Sequence, residues 1–550
     1  MNVLVLSKSL SDVVKSDIIV LVAIAVLTTV LMVFVGYKLL QMLQLTGYKL
    51  SGYFMWFKET KCSYISRLFM LTFLSLASML MTNVLLVDFF VVKILEYVGI
   101  IFFFLFSSLF ITNLFTAKQK TPLRYTKRMT RFVAVYSILV FAVTLVILFV
   151  GFLYVPYLSY GLVGVIPLLL PLIVIISYYI TYPVEKIISN SYIKKAKKKI
   201  SLRKNLVVIG ITGSFGKTTV KNILGAMLSE KYKVCATPSS FNTPLGLAKT
   251  ILSNLNDDDE IFIAEMGARQ KNDIAELCEM VSPTIGIITG IGNQHLLTFG
   301  SEENIIKTKG ELAEYVTKNN GKLFINVDSK NANILAKDYK NAEKISFFEQ
   351  NGLIFNKIET SKDGSKFNIT YNNQTISVNT ILLGEHNLSN IYLATAVALS
   401  MGLSLDEIVV AIKKLVSIPH RLEIIKSSST YTIIDDAYNC SVEGSSASLD
   451  VLSKFDGKKF VITPGIVELG KEQFNSNFEF GRKLAGVADM VIIDSSINYD
   501  AISSGLIFAK FDEEKIIQTA NLSQAVQMLG LYASPNDVVL FENDLPDNYN

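Results

Sequence analysis

Four cysteines in 550 residues, none in a CxxC pair, leave this chain without a disulfide framework or a thiolate zinc site. Cys62, Cys235, Cys278 and Cys440 read instead as reduced, cytosol-facing thiols. Histidine is scarcer still: His295, His386 and His420 are the full set, and Trp56 is the single tryptophan. A net charge of only +5, with no basic stripe interleaved with aromatics beyond the first third, argues against a nucleic-acid partner. No internal repeat or low-complexity tract is evident.

Hydrophobic residues make up 51% of the chain, and their excess is confined to the first third. Five stretches there, about 18–38, 68–87, 97–115, 132–154 and 160–182, approach the ~20 apolar residues that a bilayer crossing needs. The first lies too far in, and is followed by too many others, to be a cleaved signal peptide. Basic residues mark two of the connections: Lys38, Lys49, Lys58, Lys61 and Arg67 in one, and Lys118, Lys120, Arg124, Lys127, Arg128 and Arg131 in the other. The alternate connections, around Asp88 and Pro156, are nearly free of them. The positive-inside rule therefore predicts a multi-pass plasma-membrane protein with its N-terminus outside and its last two thirds in the cytoplasm. Expected boundaries are a transmembrane domain over 1–184 and a basic linker over 185–204, containing KKAKKKISLRK. That linker either touches anionic headgroups or is simply solvated. YKLSGYFMWF, residues 48–57, is open to reading as an interfacial segment or an ordinary loop.

Beyond the linker, NLVVIGITGSFGKTTV, residues 205–220, runs from an apolar strand through a glycine turn into a helix. Gly213 and Gly216 allow close approach of backbone N–H groups to an anion, and the helix adds its positive end. Lys217 is then placed to reach terminal phosphates, and Thr218, with Thr219 beside it, to meet their magnesium. The spacing departs from G-x-x-x-x-G-K-[ST], because Ile211 stands where the first glycine belongs. Strands at 206–211, 261–265, 284–289 and 322–326 alternate with helices such as 218–228 and 272–280, predicting an α/β domain over 205–417. Short alternating segments over 344–383 predict a small antiparallel meander. A second, Rossmann-like α/β pattern over 418–550 has strands at 431–434, 459–463, 490–494 and 538–541.

Glu265 ends the strand IFIAE, so a parallel sheet would release its side chain at the C-terminal edge, beside the glycine turn. His295 follows IGIITGIG in the same manner. Lys309, in IIKTKGELAE, reads first as part of a solvated helix face. Close to other cations it would instead be a depressed-pKa amine, able to take up carbon dioxide and present an anionic oxygen to magnesium.

TGSFGKTT, FNTPLG, AEMGAR, NQHL, KTKGE, GEHNLSN and PHRLEIIKSSSTYTIIDDAYN, in this order over about 203–545, resemble the Mur ligase family. The nearest branch is the one that joins D-alanyl-D-alanine to a UDP-linked muramoyl tripeptide. The resemblance implies an ATP-dependent, amide-forming ligase of peptidoglycan precursor synthesis that works through an acyl phosphate. It implies phosphate and nucleotide contacts from Gly213, Gly216, Lys217, Thr218, Thr219 and Asn242. Asn387 and Asn390 would receive adenine, and Arg421 and Asp436 would approach the γ-phosphate and ribose. It also implies two magnesium ions, one at Thr218 and Glu265 and one at His295 and a carbamylated Lys309, with Lys217, His295 and Lys309 as the catalytic set. The partners implied are a nucleotide- or lipid-linked muramoyl peptide, a dipeptide or amino-acid amine donor, and the bilayer. Three departures stand out: membrane spans in place of a sugar-nucleotide-binding domain, Cys440 and Ser441 where DDxYNANP would continue, and FENDLPDN in place of a KGSR-like stretch. A membrane transporter or switch, and a non-catalytic scaffold, are the alternatives.

Overall fold

Apolar residues in the strands after residue 205 run almost without interruption, which suits a parallel sheet covered on both faces. A computed structural model describes residues 15–59, 62–84, 89–116, 121–154, 161–238, 241–350, 352–425, 431–438 and 441–544. The chain divides into two compact units after Ile188.

The first unit is helical, with Lys15–Val35, Tyr37–Leu45, Leu50–Glu59, Ser63–Val84, Phe89–Thr116, Lys127–Tyr154 and the first part of Ile166–Ser201. Among the described residues three stretches, not five, are long and apolar enough to cross a membrane: Ile18–Val35, Lys127–Tyr154 and Leu162–Ser201. The expected spans 68–87 and 97–115 run into residues 78–99, whose side chains lie outside the described set, and leave only the shorter apolar helices Ser63–Ala77 and Ile100–Phe115. Trp56, on helix Leu50–Glu59, is buried against Tyr53 and Phe57 in the unit's core. Glu185 is also buried. It accepts from Arg131 Nε and Nη2 at 2.6 and 2.9 Å, with Arg128 Nε 3.8 Å away.

The basic run is helical as far as Ser201. Within the second unit Ala196 and Ile200 are buried among the apolar side chains of the first α/β domain. Lys199 Nζ donates to the Leu255 carbonyl at 2.6 Å, and the Arg203 guanidinium to those of Asn256 and Asp259. Lys194, Lys195, Lys197 and Lys198 point outward.

The first α/β domain is built on β1 (Val207–Thr212), β2 (Val234–Ala236), β3 (Ile261–Glu265), β4 (Ile285–Ile288), β5 (Lys322–Asn326) and β6 (Glu343–Ile345), all parallel in the order β2-β3-β1-β4-β5-β6. Alternate residues serve opposite cores. Ile209, Ile211, Ile263 and Ile287 pack with helices Lys217–Leu228 and Glu385–Ser400, whereas Val208, Phe262, Ala264 and Ile288 pack with Asp273–Val281 and Glu302–Lys318. An antiparallel meander of β7 (Ile354–Ser361), β8 (Gly364–Tyr371) and β9 (Gln374–Thr380) adds Phe355, Phe367 and Val378 to the first of these cores.

The C-terminal domain has β10 (Glu423–Ile425), β11 (Thr432–Asp436), β12 (Lys459–Thr463), β13 (Met490–Ile493), β14 (Ile516–Gln518) and β15 (Val538–Glu542), ordered β10-β11-β15-β12-β13-β14, with only β10 antiparallel. Three-residue β2, β6, β10 and β14 were not foreseen, because so short a stretch carries no period.

Glycines set the closest packing in this domain. A Cβ on Gly505 would lie 2.0 Å from the Phe478 carbonyl oxygen, across helices Gln473–Leu484 and Tyr499–Phe508, whereas one on Gly530 would meet nothing within 4 Å. Gly505→Ala is expected to destabilise the domain by about 1–3 kcal/mol through overpacking. Gly530→Ala, inside helix Leu522–Tyr532, is expected to stabilise it by roughly 0.5 kcal/mol. Unfolding midpoints of the two full-length variants should move in opposite directions, and shifts of the same sign would contradict this packing.

Candidate functional site at the C-terminal edge of the first sheet

Because β1 lies between β3 and β4, the residues that follow all three strands meet at one edge. The turn after β1 has Gly213 at φ 154° and Gly216 at φ 80°, and a Cβ on Gly213 would lie 2.0 Å from Thr289 Oγ1. No side chain other than hydrogen fits there. Ser214 ties the turn to the exit of β4, donating from N to the Gly290 carbonyl at 2.7 Å and from Oγ to that of Gly292 at 2.9 Å. Helix Lys217–Leu228 begins at Gly216 without a side-chain cap, so its first-turn amides keep their anion-binding capacity.

Lys217 Nζ donates to the carbonyls of Gly213 at 2.7 Å and Ser214 at 3.0 Å, closing over its own loop. Thr218 Oγ1 donates to Glu265 Oε2 at 3.0 Å, and Asn242 Nδ2 approaches Glu265 Oε1 at 3.3 Å. Lys221, not identified from the sequence, reaches the same Oε2 at 3.0 Å in an ion pair whose two side chains are 1% and 2% exposed. The available signal was its position four residues after Lys217, on one helix face. Thr219 is buried.

Lys309 is buried rather than on a solvated face. Its ammonium lies 6.0 Å from the Phe299 ring centroid and makes no hydrogen bond or ion pair among the described residues. Burial, reinforced by the charge of Lys217, pushes it down to about 7. Lys217 is lowered to about 8 by burial, opposed by Glu265 and reinforced by Arg421. His295 stands at the start of the short helix Leu296–Phe299, and its Nδ1 meets the carboxylate of Glu468 from the C-terminal domain. Burial lowers the imidazole despite that carboxylate, while at Glu468 the partnership with His295 outweighs burial and holds the carboxyl below its ordinary range.

Asn390 Oδ1 would lie 2.8 Å from a Cβ on Gly216, which places Asn390 at the loop, whereas Asn387 Nδ2 is engaged by the Leu383 carbonyl at 2.8 Å. Arg421 stacks 4.5 Å from the Tyr438 ring centroid. Asp436, which accepts from Leu422 N at 3.2 Å, is raised to about 6 by burial against the opposing charge of Arg421. His386 is half-buried, and its loss of solvent pushes it down to about 4, which suits a neutral structural ring. His420 pairs with Asp435 at 2.7 Å. Asn439, Cys440 and residues 545–548 lie outside the described residues.

Thr218 and Glu265 offer a hydroxyl and a carboxylate oxygen at one point, a hard donor set that fits magnesium. His295 and Lys309 share no direct contact, although each feels the charge of Lys217. Among the described residues no group of three His, Cys, Asp or Glu side chains gathers as a metal site.

Residues 211–398 match the Mur ligase middle domain, and residues 420–542 match the domain described as Mur ligase, glutamate ligase domain. The chain is 34% identical over 272 residues to the UDP-N-acetylmuramoyl-tripeptide--D-alanyl-D-alanine ligase of Buchnera aphidicola, covering 48% of this chain and 58% of that one. It is 28% identical over 326 residues to the Haemophilus influenzae enzyme of the same name, covering 58% and 70%. The solved MurF ligase of Thermotoga maritima in complex with ADP superposes with a TM-score of 0.58 at 26% identity, over 66% of this chain and 81% of that one.

Lys217→Ala removes a charge from the loop without opening the core beneath it. ATP turnover by this variant is expected to fall by about 10²-fold or more with the thermal midpoint unchanged. Turnover within twofold of wild type would remove Lys217 from the site.

Proposed function

Since the chain belongs to the Mur ligase family, we propose that it is an ATP-dependent ligase of peptidoglycan precursor synthesis that joins D-alanyl-D-alanine, or a related amine donor, to a muramoyl peptide. The observation that carries this reading is the meeting of Lys217, Thr218 and Glu265 at the end of β1 and β3. Lys217 and Lys309 are both depressed by burial, and each also feels a neighbouring cation, Arg421 at the first and Lys217 at the second. A polyphosphate offsets such charge.

In this reading the substrate carboxylate attacks the γ-phosphorus of ATP, ADP leaves, and the amine then attacks the acyl phosphate and expels inorganic phosphate. Backbone N–H groups after Gly213 and the amine of Lys217 hold the transferring phosphoryl group in line and offset its growing charge. Thr218 and Glu265 would hold one magnesium ion, and His295 with a carbamylated Lys309 a second. Bound there, magnesium would neutralise phosphate charge. Asn242, through its contact with Glu265, keeps that carboxylate oriented. Arg421 and Asp436 would bring the C-terminal domain to the nucleotide, and Asn387 and Asn390 would border the adenine.

We place the helical unit in the plasma membrane with the ligase domains inside. Two observations support that arrangement. The apolar stretches are long enough to span, and basic residues gather in the connections 38–67 and 118–131, which the positive-inside rule assigns to the inner side. A unit of this kind, standing where a sugar-nucleotide domain would be expected, raises the local concentration of a lipid-linked acceptor near the bilayer. The transporter reading is weaker, since Glu185, the buried carboxylate among the described residues of this unit, is already paired with Arg131.

An amine at Lys309 that takes up carbon dioxide gives a sharp test. Lys309→Ala is expected to lose activity by about 10²-fold and to regain part of it when a small carboxylic acid is added, because the acid supplies the missing oxygen ligand. Lys309→Arg should stay inactive, since a guanidinium remains protonated. A fully active Lys309→Arg would end the carbamate reading.

A further inference from the structure

Residues 121–131, TPLRYTKRMTR, bring Arg124, Lys127, Arg128 and Arg131 together with no acidic residue among them. The stretch leads into helix Lys127–Tyr154, and before that helix it is strapped to another, Tyr37–Leu45. Tyr37, Gln41 and Gln44, spaced by four and three residues and so on one helix face, form the strap. Tyr37 Oη accepts from Leu123 N at 2.8 Å, and Gln41 Nε2 donates to the Thr121 carbonyl. Gln44 closes a pair with Arg124, accepting from its N at 2.8 Å and donating to its carbonyl at 2.7 Å. Three polar side chains committed to the backbone of one short segment fix where that segment's own side chains stand.

Arg128 is held as well. Its guanidinium lies 3.8 Å from the Tyr48 ring centroid, and Tyr48 sits in a left-handed turn at φ 59°. Stacking of this kind lays the guanidinium flat and leaves its edge for a planar or tetrahedral oxyanion. Arg128 Nε is buried and makes no hydrogen bond among the described residues, with Glu185 Oε2 3.8 Å from it. That carboxylate already takes two hydrogen bonds from Arg131. Arg124 and Lys127 are exposed and join no ion pair among the described residues. A single carboxylate therefore answers this group of cations, and a surplus of positive charge is left at the start of helix Lys127–Tyr154.

Helix length gives the depth of that surplus. From Phe132 to Tyr154 no charged residue occurs, about 33 Å of helix against a hydrocarbon core of about 30 Å. Arg128 stands one turn before Phe132, about 6 Å further along the axis, which is the depth of the headgroup layer. Tyr125, in the strapped segment, is 61% exposed, as an aromatic at the membrane–water boundary would be. We propose that Arg124, Lys127 and Arg128 form a binding site for the phosphate of an anionic phospholipid headgroup, centred on the free edge of Arg128. The site rests on the membrane placement given above and not on the ligase reading. A sequence that only oriented the helix in the bilayer would need the charge, but neither the stacked guanidinium nor the strap.

Full-length protein in neutral detergent, offered phosphatidylglycerol and phosphatidylcholine of the same acyl chains in equal amount, is read by native mass spectrometry for the lipid it retains. Wild type is expected to keep one phosphatidylglycerol per chain, preferred over phosphatidylcholine by about fivefold or more. Arg128→Lys keeps the charge but loses the planar fork, and its preference should fall below about twofold. Arg124→Gln combined with Lys127→Gln, which leaves Arg128 and its partners in place, should lower it as far. Lys58→Gln, an exposed charge removed from helix Leu50–Glu59, should leave the preference as in wild type. Equal retention of the two lipids by wild type, a preference unchanged in both site variants, or an equal loss in Lys58→Gln would overturn the proposal. Displacement of the lipid by an equal concentration of inorganic phosphate would overturn it too, by marking a site for a soluble anion. Release of the protein from its membranes by alkaline carbonate would end the membrane placement and the lipid site together, whereas protein that stays embedded and shows no lipid preference ends the lipid site alone.

Discussion

The site depends on one buried contact, the carboxylate of Glu265 held between Thr218 and Lys221. A carboxylate 1% exposed is costly unless it is paired and hydrogen-bonded, and here the helix after β1 supplies both partners. The pairing locks that helix to the end of β3. It also fixes the angle at which the glycine turn and its first-turn amides are presented. Gly213, pressed against Thr289, carries the same constraint to β4, and His295 follows a few residues later. Sheet order thus does the assembling, because β1 can gather both neighbours only if it lies between them.

Charge is the second organising term. Lys217 and Lys309 lose basicity chiefly through burial, and the charge of Arg421 at Lys217 and of Lys217 at Lys309 lowers them further. Such an arrangement stores unfavourable electrostatic energy that a polyanion relieves, and its placement before the reaction begins is what makes it useful. The C-terminal domain adds Arg421 from its first segment and Glu468 from the loop after β12.

Much of this was legible in residues 205–220 and in the carboxylate that ends IFIAE, because glycine, lysine and threonine at that spacing have few other uses after an apolar strand. Strands β1, β3, β4, β5, β11, β12, β13 and β15 were visible for the same reason: they are runs of β-branched residues long enough to show against their surroundings. Lys221 and Glu468 were not. A lysine on a helix reads as solvated until the sheet beneath it is known, and a glutamate in VELG has no local mark of a partner 173 residues away. The helical form of the basic run was not legible either: Ala196 and Ile200 pack against the first α/β domain while Lys194, Lys195, Lys197 and Lys198 stay exposed.

The most direct test of the ligase reading is phosphate release by the purified full-length protein with ATP and magnesium across nucleotide-linked and lipid-linked muramoyl peptides, each with and without D-alanyl-D-alanine. Release that requires both a muramoyl peptide and the dipeptide, with stoichiometric amide formation, is the expected result. Release indifferent to both, or amide formation without ATP consumption, would contradict it.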